Sequence, residues 1–316
     1  MSTSTAQNSN WFIKHAKKLK EIMEQINDIR PEITNEYRAH TALKLMCVGY
    51  WSDIFTTILH SSRIPAIYVD ICSGSGLTKI KDDSKLLPGS TIVAESYASY
   101  PYKFIICVDC DKTKTNALEM RMSRIRNKNS FKIFNGKIEE VIDDVCALVK
   151  QKHGIMFCFI DPEGFNGLDW DIYYKISKCR GDILITWDHP DIWRVFHKSI
   201  IDKGNELRMM NIFGNSIWKN AISNDELTER YINRLRERRD LVKSLDIIDE
   251  NKIVYKELLC VRKTKDGSPW VSAYENNLKK QVEKKDAELM KMWLDIAYEK
   301  QSQLDRFSPS AQASTR

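Results

Sequence analysis

Five short apolar runs, each of strand length and each stopping at a polar residue or turn, constrain this chain more than any other feature. They are Ala66-Ile-Tyr-Val-Asp-Ile71, Lys103-Phe-Ile-Ile-Cys-Val-Asp109, Ser130–Phe134, Ile155-Met-Phe-Cys-Phe-Ile160 and Asp182-Ile-Leu-Ile-Thr-Trp187. Strands that are apolar nearly throughout are buried on both faces. Between them, Lys112–Arg126, Lys137–Lys152 and Leu168–Lys178 read as helices. That alternation specifies parallel β-α-β units, and so an α/β fold with a doubly wound, Rossmann-like sheet. The core is expected over residues 62–220.

The flanks differ in pattern. Residues 11–61 read as N-terminal helices, one over Trp11–Ile29 and one over Glu36–Ser61. Residues 221–302 read as C-terminal helices plus extra strands: a helix over Asn224–Ser244, two strands at Asn251–Tyr255 and Glu257–Arg262, and a helix over Val271–Lys300. Residues 1–10 and 303–316 are polar, lack apolar periodicity and are expected to be disordered tails. No run approaches the ~20 apolar residues that span a bilayer, and Met1–Asn10 carries no apolar signal core. A cytoplasmic protein without a membrane contact is expected. The eight cysteines sit largely in apolar runs and are expected as free thiols. Cys107-Val-Asp-Cys110 resembles half of a zinc site, but no second half follows at matching spacing, so no metal is expected.

Ligands of open α/β sheets bind at the carboxyl ends of the strands. The first strand ends as Asp70-Ile-Cys72-Ser73-Gly74-Ser-Gly76. This resembles the D-x-G-x-G-x-G turn of S-adenosylmethionine (SAM) methyltransferases, with Cys72 in the first glycine position. Asp70 is then the candidate partner of the cofactor's amino-acid end, and Gly74 and Gly76 are expected to clear space for it. A dinucleotide fingerprint would need glycine at Lys79. The second strand ends in Asp109, placed to accept hydrogen bonds from vicinal ribose hydroxyls, with Asp111 competing for the role or capping the next helix. Asn135 ends the third strand and either reads an adenine edge or caps the helix that follows. The fourth ends as Asp161-Pro162-Glu163-Gly164-Phe165. This resembles the D-P-P-[YFW] loop of amino-methyltransferases, where the carboxylate and a proline carbonyl hold the target amino group.

Together these strand ends resemble the three-Cys-motif partner protein (TcmP) family. Tyr68-Val-Asp70-Ile-Cys-Ser73-Gly74-Ser-Gly76 matches its strand and turn, Pro88-Gly89-Ser90-Thr91 its G-S-[PT] element, and Phe159–Pro162 its F-I-D-P strand end. Phe213-Gly214-Asn-Ser-Ile-Trp218 matches a late F-G-x-x-x-W, and Tyr255–Cys260 with Gly267-Ser-Pro-Trp270 the closing strand and G-x-x-W. The resemblance covers residues 15–295. It implies a class I methyltransferase-like fold, a prokaryotic source and a partner protein bearing a three-cysteine motif of radical-SAM type.

The expected function is SAM-dependent methyl transfer. Asp161 and Pro162 are the candidate catalytic residues, and Asp70, Ser73, Gly74, Gly76, Asp109 and Asn135 the candidate cofactor residues. The rival expectation is a catalytically weak or inactive Rossmann-fold partner subunit. The net charge is +6, and two basic clusters, Arg121/Arg124/Arg126/Lys128/Lys132 and Arg234/Arg236/Arg238/Arg239/Lys243, either are solvated helix faces or tilt the acceptor toward RNA or DNA. Asp188 and His189 after the fifth strand form a candidate general-base pair, or a helix cap with a surface histidine. Trp193 and Arg194 are a base-stacking candidate or core. Gly214 and Trp218 are expected to close the cofactor site. Lys79 and Lys81 lie beside a substrate phosphate or are loop charges.

Overall fold

Helix α1, residues 18–26, opens what the computed structural model describes, namely residues 18–38, 41–81, 86–162, 164–165, 167–249, 252–263 and 268–274. Strand β1 (Asn35–Tyr37), helix α2 (Thr41–Ser61) and strand β2 (Ala66–Ile71) follow. After β2 come a short hairpin, β3 (Leu77–Ile80) and β4 (Leu86–Pro88), then α3 (Ser90–Tyr97). The regular alternation then runs β5 (Phe104–Asp109), α4 (Lys112–Ile125), β6 (Phe131–Asn135), α5 (Ile138–Gln151), β7 (Ile155–Ile160), α6 (Trp170–Ser177), β8 (Gly181–Trp187). Helices α7 (His189–Ser199), α8 (Lys203–Phe213) and α9 (Asn224–Arg236) precede the antiparallel pair β9 (Leu241–Asp249) and β10 (Lys252–Val261), and α10 (Pro269–Ala273) closes the described chain.

The main sheet has the order β6-β5-β2-β7-β8-β10-β9. The first five strands are parallel, β10 runs antiparallel to β8, and β9 antiparallel to β10. This is a doubly wound, Rossmann-like sheet. The period-2 rule divides each core strand between two apolar layers. Tyr68, Cys107, Phe157, Phe159 and Leu184 join the layer beneath α1 to α4 and α10. Val69, Ile71, Val108, Cys158 and Ile183 join the layer beneath α5 to α9. Because β2 starts the winding in both directions, the sheet's switch point lies between β2 and β7.

The flanks depart from the sequence-based expectations in three places. The helix expected from Glu36 starts at Thr41, because Asn35–Tyr37 pairs in parallel with β3 as part of a second sheet, β1-β3-β4. The helix expected through Ser244 stops at Arg236. Beyond it, Val242, Leu245 and Ile247 are buried along β9, and pairing with β10 outcompetes helical continuation. The two strands expected at 251–262 are one continuous strand, β10, whose ladder with β9 absorbs an irregularity at Ile253/Tyr255. The expected tails and most of the expected helix over Val271–Lys300 lie outside the described residues.

Arg121 explains why the segment before β1 lies where it does. Its guanidinium is fully buried and donates to the carbonyls of Ile29 (2.8 and 3.1 Å), Arg30 (2.8 Å), Ile33 (3.0 Å) and Ser75 (2.6 Å). One side chain thereby clamps residues 29–33 against the glycine turn and delivers β1 over it.

Candidate functional site

The turn after β2 contains three left-handed residues: Cys72 at φ 67°, Gly74 at 62° and Gly76 at 82°. For Cys72 that conformation costs ~1–2 kcal/mol. Neighbouring hydrogen bonds hold the turn in place. Ser73 donates to the Val108 carbonyl from both its N–H (2.9 Å) and its Oγ (3.3 Å), and the Gly74 N–H donates to Asp109 Oδ2 at 2.8 Å. Ser73 is thus tied to β5.

The space expected over the two glycines is filled from within. A Cβ on Gly74 would lie 2.2 Å from Asn35 Nδ2, and one on Gly76 2.8 Å from Leu118 Cδ1. Gly89 packs its backbone directly on Gly76, donating its N–H to the Gly76 carbonyl at 2.8 Å. That contact sets Ser90 and Thr91 at the start of α3. Their hydroxyls donate to Asp70 Oδ2 at 2.8 and 2.6 Å, joined by the Tyr68 hydroxyl at 3.2 Å. The G-S-T element is therefore a set of donors for the aspartate on β2.

Asp70 is fully buried, and its other oxygen, Oδ1, has no hydrogen-bond partner among the described residues. Asn35 Oδ1, which lies in the segment over the turn, is a second buried acceptor in that condition. Burial raises the Asp70 carboxyl to about 7, against the lowering effect of the Thr91, Ser90 and Tyr68 hydroxyls. An unfolded aspartate titrates near ~3.9. Between those values the folded chain holds a proton that the unfolded chain releases, so the stability this group contributes is full below about pH 4 and is lost as pH rises toward 7. Asp70→Asn removes that slope. In urea titrations, the unfolding free energy of the unsubstituted chain minus that of the variant should fall between about pH 4 and about pH 7. A flat difference would contradict a buried, protonated carboxyl.

Asp109 stands on the same edge of the sheet as Asp70, since β2 and β5 pair in register Asp70↔Cys107. Its Oδ2 accepts from Gly74 and its Oδ1 from the Asp111 N–H at 2.9 Å. Asp111 caps α4, accepting from the N–H groups of Thr113 (2.8 Å) and Lys114 (3.2 Å). Asn135 does not cap α5, whose N-cap is Lys137. It donates to the carbonyls of Asp109 (3.3 Å) and Cys110 (3.1 Å), bracing the end of β5.

Asp161 follows β7 across the switch point, with its N–H donating to the Ile71 carbonyl at 3.3 Å. Both its oxygens accept from Lys44 Nζ, at 2.8 and 2.6 Å. Sequence reasoning missed Lys44. Its signal was present: it is the one charged residue in the apolar run Ala42-Leu-Lys-Leu-Met-Cys-Val48. The residue is 2% exposed, and its Nζ lies 5.1 Å from the Tyr37 ring centroid and 5.2 Å from that of Tyr255. Burial disfavours its charge, but Asp161 and the two phenols outweigh burial and hold the ammonium well above the ordinary lysine range. Glu257 of β10 belongs to the same group. It is fully buried, accepts from the Thr186 hydroxyl at 3.1 Å, and is pushed well above the carboxyl range by burial, with Lys44 opposing. Pro162 is half-buried beside Asp161. Glu163 lies outside the described residues. Phe165 packs with the layer on the other face, under the Arg208 guanidinium at 5.5 Å.

The remaining candidates take structural places. Asp188 caps α7 through the Asp191 N–H at 3.1 Å, and burial raises its carboxyl to about 6. His189 is buried rather than at the surface, its Nδ1 is 3.2 Å from the Thr228 hydroxyl, and burial lowers its pKa. Their side chains form no hydrogen bond or ion pair with each other. Trp193 stacks on Phe196 at 5.0 Å, and Arg194 is paired with Asp191 at 2.8 Å. Trp218 is buried against Phe196, and a Cβ on Gly214 would lie 2.5 Å from Trp170, so both belong to the α5–α9 layer and not to the glycine turn. Lys79 lies in β3 opposite Glu36, and Lys81 follows the strand. Cys107 is buried and Cys110 exposed. Several arginines of the basic clusters point inward. Beside Arg121, Arg126 binds Glu95 and the Tyr102 carbonyl at 2.6 Å each, and Arg239 is 2% exposed and donates to the Ser177 carbonyl at 2.8 Å.

No protein-family model matches the chain, and no curated protein matches it. Among solved structures it is similar to a protein from Legionella pneumophila of family-model DUF519, at 13% identity and a TM-score of 0.48, covering 78% of this chain and 91% of that one. It is also similar to the O-methyltransferase TomG from Streptomyces achromogenes in complex with SAM, at 9% identity and a TM-score of 0.40, over 79% of this chain and 90% of that one. An O-methyltransferase from Bacillus cereus in complex with SAH matches at 9% identity and a TM-score of 0.40, over 78% and 100%. Among the described residues, no helix is long and apolar enough to cross a membrane.

Proposed function

We propose that the chain is a SAM-dependent methyltransferase acting on nucleic acid together with a partner protein. One observation carries the reading: Asp70, Asp109 and Asp161 converge at the ends of three adjacent strands around the Cys72–Gly76 turn, at the switch point where such sheets take ligands. The space over Gly74 and Gly76 is taken by Asn35 and Leu118, and the support for the cofactor comes from the polar atoms around the turn. Asn35 Oδ1 and, once Asp70 is ionised, Asp70 Oδ1 are buried acceptors in need of donors, which an α-ammonium has in excess. A carboxylate offers roughly four acceptor positions. Asp109 uses two on backbone N–H groups, and the others suit a vicinal diol. The cofactor, when bound, supplies an electrophilic methyl group on a sulfonium sulfur.

Lys44 fixes the plane of the Asp161 carboxylate by donating to both oxygens, and Asp161 keeps lone pairs to accept an N–H or O–H from the acceptor. Holding that group in line is the chain's main contribution, since positioning supplies up to ~7–11 kcal/mol of a barrier. The nucleic-acid acceptor draws support from the basic residues that remain outward. Lys128, Lys132 and Lys152 line a groove of about 680 Å³ at the β6 edge, with Phe104 and Phe134, and Arg124 lies beside Lys128 on the next face. Ile200, Ile201 and Leu207, exposed by 71%, 90% and 63% around the α7–α8 turn, are apolar side chains that suit a protein partner such as a three-Cys-motif protein.

Labelled methyl transfer from SAM into total RNA and DNA tests the reading. Incorporation should appear with the unsubstituted chain and vanish in Asp161→Ala while calorimetric SAM binding persists. A chain that shows no SAM binding at all would end it. The rival reading, an inert partner subunit, is favoured by one observation: Lys44 already occupies both oxygens of Asp161. That reading predicts SAM binding with no transfer to either nucleic acid.

A further inference from the structure

We infer that the chain holds a second ligand site, at the sheet edge opposite the strand ends described above, for a small apolar body carrying one carboxylate. A cavity of about 450 Å³ opens where β7 and β8 begin and β10 ends. Its wall is formed by Trp51, Phe55 and Ile58 of α2 with Trp270 of α10, and its rim by Arg180, Arg262 and Lys263. Small-molecule sites are ~300–1,000 Å³, mostly apolar, with a few polar groups that fix orientation. This cavity has that construction.

The charge at the rim selects the ligand. All three cations are exposed. Arg262 donates to the Ser177 carbonyl at 3.0 Å, while the side chains of Arg180 and Lys263 have no partner among the described residues. Asp182 is the acid among the lining residues. Burial raises its carboxyl to about 7, with Arg239, Trp51 and Arg262 opposing, so even where it ionises it offsets one of the rim's three positive charges and leaves the cavity mouth cationic. An uncharged apolar ligand would leave the guanidinium groups unused, and a polyanion would not enter an apolar cavity of this size. A single carboxylate accepts from an arginine fork through two parallel bonds while the apolar body lies against the tryptophans.

The site does not depend on the methyltransferase reading. Lys44 and Phe55 lie on one helix, eleven residues apart, or ~16 Å along its axis. Octanoate titrated calorimetrically into the full chain, with octan-1-ol as the uncharged probe, tests it. Octanoate should bind saturably at one site. Arg180→Glu with Lys263→Glu should weaken it about tenfold or more, as expected for losing charge-assisted hydrogen bonds. Ile58→Trp, which fills the cavity, should abolish it. The two charge reversals fall on exposed side chains, and an unchanged melting temperature confirms that the fold is kept. Equal affinity for octan-1-ol, or octanoate binding indifferent to the charge reversals, would overturn the assignment. So would absence of saturable heat with the unsubstituted chain.

Discussion

Lys44→Met should lower the free energy of unfolding by ~3–5 kcal/mol, because it leaves a partner carboxylate uncompensated in a buried place. Lys44 and Asp161 have side-chain exposures of 3% and 15%, and Nζ lies within 2.8 Å of both oxygens. The loss extends to Glu257, whose raised carboxyl is offset by the same ammonium. The pair itself need not stabilise the fold. Replacing both members with apolar residues of similar size is often neutral, so Lys44→Met with Asp161→Leu should recover most of the loss in urea denaturation. A single variant within ~1 kcal/mol of the unsubstituted chain would place the pair among solvent-screened ion pairs. The double variant should fold and transfer no methyl group, which separates the pair's place in the fold from its place in the reaction.

The second large effect is expected at Asp109, the proposed ribose-binding residue. Asp109→Ala should weaken SAM binding by about a hundredfold or more, since two hydrogen bonds to a charged acceptor contribute ~1.5–3 kcal/mol each. It also removes the acceptor of the Gly74 and Asp111 N–H groups, so the turn loosens with it. Asp111→Ala is the informative companion. It deletes the α4 cap, at a cost of ~1 kcal/mol of stability, and should leave SAM affinity near that of the unsubstituted chain. If the two variants exchange phenotypes in calorimetry, the diol-binding role passes to Asp111.

The parts of the site legible in the sequence are those that lie at the end of a strand. Asp70, Asp109 and Asp161 were placed at strand ends because a buried strand announces itself by its apolar residues and stops where they stop. Cys72 kept its place in the turn despite its side chain, held in the left-handed region by the Ser73 and Gly74 hydrogen bonds. The misreadings share one cause. Arg121, Arg126 and Arg239 looked like a solvated basic face, yet the carbonyls and the carboxylate that bury them come from distant segments. Asn135 and Ser73 looked free for a ligand because their carbonyl partners on β5 and in the loop after it are not sequence neighbours.

Local pattern alone determined the doubly wound core, the position of its five parallel strands and the acids at their carboxyl ends, because apolar periodicity records which face of each element leaves water. Tertiary structure alone decided what those acids meet. Lys44 reaches Asp161 across 117 positions of sequence, Ser90 and Thr91 reach Asp70 across 20 and 21, and β1 is laid over the glycine turn by an arginine some 90 residues away. An ion pair or a hydrogen bond depends on distances of a few ångströms between groups that periodicity places only on a face, so their partners emerge when the layers pack and not before.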